Sequence, residues 1–209
     1  MKFDQEFKDA ISRLPGKEKD KLILRLLKKD ISLANQLYFQ LVESRSVEEL
    51  RTEVELAISK EITNRSVYFY SPGVLMMYLR DISGTINEHV SNTKDKYGDP
   101  YLNCIMLIKA LNKNKEHLNN SKLRDSEKLY TYIVARIFKI LTQVKALHED
   151  LQFDFNTLLE EISQEIEQVP GLIKMTIYHG LNLNWLLDAG IPDDIAAIQK
   201  DLRQRGYLK

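Results

Sequence analysis

Cysteine is almost missing from this chain: Cys104 is the only one in 209 residues. No intramolecular disulfide can form, which excludes the disulfide-stapled miniproteins. Chain breakers are scarce too, since eight glycines and five prolines are about half the usual share. Long segments are therefore free to continue as helix. An excess of either charge is also lacking. Thirty Lys and Arg residues face thirty Asp and Glu, which argues against a generally basic nucleic-acid protein. No window approaches the ~18 consecutive apolar residues of a spanning helix. The first residues, Met1, Lys2, Phe3 and Asp4, carry no apolar stretch behind a basic one, so the expectation is a cytoplasmic protein without a signal segment.

What is present is the balance of a globular domain, with 44% hydrophobic and 29% charged residues in a chain long enough to bury a core unaided. The expected class is all-α, as an irregular multi-helix bundle or a short α-α superhelix of nine to ten helices. The expected organisation is one domain over 1–209, with 91–99 as the place where a subdivision would fall.

All five prolines read as helix punctuation: Pro15, Pro72, Pro100, Pro170 and Pro192 each adjoin a glycine or an aspartate. Apolar residues at three- and four-residue steps predict helices over 4–14, 17–29 and from Asp30 onward. Ser46 and Glu49 have the capping-box spacing, so a helix is expected from there to Thr63. The aromatic run 66–71 reads as an ordered loop, and a helix from Pro72 to Asn92 follows. The hydrophilic link 91–99 reads as the most plausible hinge. Beyond it the pattern predicts helices from Asp99 to Leu111, fraying to His117, then 124–151 and 156–168. Three short pieces over 171–178, 181–188 and 193–204 complete the chain. No residue signature recurs at a solenoid period.

Enzymatic motifs fail on spacing. Gly16 and Lys17 are followed by Glu18, without the glycines that cradle a phosphate. His148 and Glu149 start like a zinc-protease helix, but Gln152 stands where the second imidazole would be. None of the four histidines has an acid three positions earlier, as a di-iron bundle needs. A metal-dependent phosphohydrolase of an all-helical type therefore requires acids converging from distant segments. No catalytic residue, metal ligand or cofactor follows from the sequence.

Charge distribution is the better lead. Lys17, Lys21, Arg25 and Lys28 fall on one helical face and form a basic stripe. Residues 94–124 carry Lys94, Lys96, Lys109, Lys113, Lys115, Lys122 and Arg124 against three acids. Together, 17–29 and 94–124 are the faces through which nucleic acid would bind, the least favoured of three readings. Residues 146–173 contain seven acids and no Lys or Arg. Gly84, inside a helical segment, needs a reason, because it costs ~1 kcal/mol against alanine. Close approach of another helix is one. The other is a small polar pocket bordered by Arg80, Asn87, His89, Lys94 and Lys96, where any ligand site is expected. In the tail, an exposed Ile195, Ile198 and Leu202 face would favour a docking helix. The sequence is read as a non-catalytic helical interaction or scaffold protein acting through helix surfaces. A protein partner or self-association is expected, with nucleic acid disfavoured and no membrane.

Overall fold

The computed structural model describes residues 3–187 and 190–209. Among these there is no strand; eleven α-helices and two 3-10 turns make up the regular structure. Ten of the α-helices have nine residues or more, and the remaining one, α8 (Glu149–Gln152), has four. Among the described residues no helix is long and apolar enough to cross a membrane. The chain divides into two compact units, Met1–Ser44 with Ser91–Thr93, and Arg45–Val90 with Lys94–Lys209.

The first unit holds α1 (Gln5–Arg13), α2 (Gly16–Leu27) and α3 (Ile31–Leu41). Local signals place them. Asp4 accepts from the Phe7 N–H at 2.8 Å, Asp30 accepts from the Leu33 N–H at 3.0 Å, and Pro15 separates α1 from α2. These caps satisfy backbone donors that a helix start leaves open. None of the three helices buries a residue.

The second unit is a bundle of α4 (Val47–Ser66), α5 (Pro72–Thr93), α6 (Gly98–Asn120), α7 (Leu123–Lys145), α8, α9 (Asn156–Glu167), α10 (Pro170–Tyr178) and α11 (Ile195–Gln204). The expected capping box forms: Ser46 Oγ accepts from the Glu49 N–H while Glu49 accepts from the Ser46 N–H at 2.7 Å. Helix α6 packs against α4, α7, α9 and α10. A helix with neighbours on several sides belongs to a bundle; in a superhelix each repeat meets only the adjoining ones. Along α7, Ile133, Ile137, Ile140 and Val144 are all 1% exposed or less, the inward stripe expected from their spacing.

Three boundaries differ from expectation. Helix α6 continues to Asn120, beyond the expected Leu111, because Asn114 and Leu118 also face inward. Asn114 donates to the Ala110 carbonyl at 2.8 Å and to Ser66 Oγ at 2.9 Å, so a polar residue sits in the core with bonded partners. Helix α7 stops at Lys145 rather than running to Leu151; His148 caps α8 instead, and Leu151 is exposed. The piece expected over 181–188 is a 3-10 turn, Leu183–Leu186, and Asp188 lies outside the described residues. The tail helix α11 is not an exposed docking helix: Ile195 is buried, and Ile198 and Leu202 pack against the core.

Candidate functional site

The four residues of the basic stripe lie in the first unit. Lys17, Lys21, Arg25 and Lys28 are all exposed, and their spacing keeps them within one arc of α2. None of them takes part in an ion pair among the described residues. Leu24 lies at the edge of that arc and is 61% exposed. Lys19, off the stripe, donates to the Ser12 carbonyl at 2.8 Å and ties α2 back to α1. Eleven large apolar or aromatic side chains of residues 3–44 are exposed, among them Phe3, Phe7, Ile23, Ile31 and Leu41. Single exposed apolar residues are ordinary; eleven within 42 residues are a concentration of apolar surface.

The acidic stretch 146–173 lies in the second unit. Glu149, Asp150, Asp154, Glu160, Glu161 and Glu167 are exposed, and so are Leu151 and Phe153. Glu165 is the exception, because it accepts from Asn112 at 2.8 Å. In 94–124, Lys94, Lys96, Lys113, Lys122 and Arg124 are exposed, while Lys109 and Lys115 are half-buried. Two of that segment's acids are engaged. Asp95 pairs with Arg51, and Asp99 with Lys139 at 3.0 Å.

The five residues expected to border a pocket do not share a surface. Arg80 and Asn87, seven positions apart on α5, both face outward. His89 is buried on the opposite side, with Nε2 3.2 Å from Asp95 Oδ2. Lys94 closes α5 at φ +59°, with its N–H on the Val90 carbonyl, and its side chain is exposed like that of Lys96. Among the described residues nothing from another helix lies within 4 Å of where a Cβ on Gly84 would sit, so none approaches it closely.

What the segment does build is a buried ionic cluster that sequence reasoning missed. Asp95 accepts from Arg51 Nε at 2.7 Å, from Arg51 Nη2 at 2.9 Å, from the Gly98 N–H at 2.8 Å and from His89. Burial alone would push the Asp95 carboxyl up. Hydrogen bonds from His89, Arg51 and the Gly98 N–H, with the Arg51 charge, outweigh it and hold the group well below the usual carboxylate range. The Arg51 guanidinium also lies 4.7 Å from the Tyr97 ring centroid. A Cβ at position 98 would collide with the Asp95 carboxylate, which is why glycine stands there. The signal in the sequence is the aspartate three positions before a helix's first amides. With its lone pairs occupied, Asp95 binds α4 and α5 to the start of α6 and has no capacity left for a ligand. Beside it, Tyr101 donates to Glu55 at 2.9 Å; burial, then that bond, pushes its hydroxyl up to about 12.

Among the described residues no three His, Cys, Asp or Glu side chains gather as a metal-ligand group. The Cys104 thiol is fully buried, which pushes its pKa up and keeps it protonated and unreactive. Comparison with protein-family models, with curated proteins and with solved structures gives no match.

Proposed function

We propose that this chain is a non-catalytic helical interaction protein working through helix surfaces, and that the occupant of its N-terminal face is a second copy of the chain. One observation carries the reading: the first unit buries none of its described residues while holding eleven large apolar or aromatic side chains in the open. Apolar surface of that density gains free energy by leaving water.

Charge complementarity selects the partner. The basic arc of α2 borders exposed Leu24, whereas 146–173, which has no Lys or Arg, surrounds exposed Leu151 and Phe153 with acids. Opposite charges around apolar anchors steer encounter and fix register, while the anchors supply the attraction. Such a contact joins different faces of the two copies: made reciprocally it closes a two-fold dimer, and made once per pair it builds rings or open chains. Membranes and nucleic acid have no part in this reading, and a buried lone cysteine suits a cytoplasmic setting.

Sedimentation velocity over a range of concentration and salt is the test. Wild type is expected to associate, less so as salt rises. Lys21→Glu/Arg25→Glu and Glu160→Lys/Glu161→Lys should each stay monomeric alone and associate when mixed. A monomer at every concentration would overturn the proposal, as would steeply salt-dependent binding to a DNA duplex without self-association.

A further inference from the structure

A cleft in the second unit, unused by the interaction reading, has a volume of about 570 Å³, within the range of small-molecule sites. One wall comes from α5, where Met76 and Arg80 sit one turn apart. Another is the α7 stripe Lys128, Thr131, Tyr132 and Ala135, whose three- and four-residue steps put them on one face. Leu208 and Lys209, past the end of α11, complete it.

The walls are fixed by hydrogen bonds in which, among the described residues, neither Arg80 nor Lys128 takes part. The Tyr132 hydroxyl lies 2.7 Å from Ser83 Oγ, donates to the Leu79 carbonyl at 3.2 Å and accepts from Arg136 Nη2 at 2.9 Å. Its ring is flanked by two guanidinium groups, Arg136 at 5.2 Å and Arg80 at 6.0 Å from the centroid. Arg80, Lys128 and Arg136 form no ion pair among the described residues. No lining side chain is acidic. Excess positive charge among the side chains that line a concave surface attracts an anion.

The third wall is held in a strained form. Leu208 has φ +62°, a left-handed conformation costing a branched side chain roughly 1–2 kcal/mol. Gly206, at φ +95°, ends α11 and starts this turn. The strain is held by a specific chain of bonds. The Leu208 N–H donates to His179 Nδ1 at 3.3 Å, and His179 Nε2 lies 3.0 Å from Thr131 Oγ1. Because Nδ1 accepts, the neutral ring carries its hydrogen on Nε2 and donates to Thr131. Thr131 therefore keeps its own O–H as a donor. A strained residue maintained by its surroundings is a pointer to function.

We propose that this cleft binds a small amphipathic anion, a carboxylate or phosphate monoester on an apolar chain. The anionic group meets Arg80, Lys128 and the Thr131 hydroxyl, and the chain lies along Met76, Ala135 and Leu208. A guanidinium matches either oxyanion with paired hydrogen bonds.

Isothermal titration of the full chain tests this with four probes: octanoate, octyl phosphate, octanol and inorganic phosphate. Octanoate, octyl phosphate or both should bind, with octanol and inorganic phosphate at least about tenfold weaker. Arg80→Gln/Lys128→Gln, at two exposed positions, should weaken the anionic amphiphiles by about tenfold or more. Lys113→Gln/Lys122→Gln removes the same charge outside the cleft and should leave binding unchanged. The proposal is overturned if neither amphiphile binds, if octanol or inorganic phosphate binds as well as they do, or if the two double variants behave alike.

Discussion

Residues 3–44 and the bundle from Arg45 onward have equally regular helices and opposite interiors. In the bundle, side chains such as Leu79, Ile86, Ile137 and Phe138 are fully buried; in the N-terminal unit no described residue reaches that state. Length separates them in part. The helices α4 to α7 run 20 to 23 residues, whereas α1 to α3 run 9 to 12. A short helix derives most of its stability from tertiary packing. The comparison teaches that an amphipathic stripe shows which face seeks cover, and that whether the cover comes from the same chain is a separate matter.

Breaking the bundle's ionic cluster should have the largest effect. Asp95→Ala leaves Arg51 and His89 without their shared acceptor, and a loss of about 3–5 kcal/mol is expected. It is read by urea unfolding through Trp185, the sole tryptophan, which packs edge-on against Phe138. Next comes a matched pair of truncations. Ile137→Ala should cost about 2–5 kcal/mol, while Leu24→Ala should stay within about 0.5 kcal/mol in dilute monomer. Equal losses in thermal melts of the two variants would erase the contrast.

Acidification divides the bundle's stability into two smaller steps. Burial holds the His179 imidazole below its ordinary value, against the opposing pull of Glu127. Its neutral form is the folded one, so its contribution is complete above about pH 6.5 and fades as pH falls toward the folded value. The Asp95 carboxyl is likewise depressed, so its contribution is complete above about pH 3.9 and fades below that. Urea midpoints measured from pH 8 to pH 3 should fall in both windows, and Asp95→Asn should flatten the lower one. A midpoint that rises on acidification would contradict the assignment. One change is a gain: Gly84→Ala, with open space around it, should raise stability by about 1 kcal/mol in calorimetry.

Much of the helical framework was legible because local chemistry writes it into the chain. Prolines, the Ser46 capping box and the Asp30 cap act over a few residues. The errors share one physical cause, the dependence of an element's end on distant packing. The expected end of α6 at Leu111 followed the loss of apolar residues beyond it, yet Asn114 is buried and paired with Ser66 across the fold. The expected extension of α7 followed Leu147 and Leu151, which keep the spacing without continuing the helix.

The candidate sites divide in the same way. The α2 stripe was legible because four residues on one helix share a face whatever surrounds them. The pocket expected around Arg80, Asn87 and His89 needed knowledge of which face of α5 the bundle covers. Asp95 looked like an acid diluting a basic segment, because its partner Arg51 stands 44 positions earlier. The cleft around Thr131 escaped notice because it requires α5, α7 and residues 208–209 to meet.

The central claim is that the N-terminal helices are a surface awaiting another copy, and hydrogen exchange read by mass spectrometry at low and high protein concentration tests it most directly. Helices α1 to α3 should exchange quickly in dilute solution. As concentration rises, residues 17–28 and 149–167 should gain protection together while the segment around Asp95 stays unchanged. Exchange in both stretches that is identical at every concentration would contradict the account.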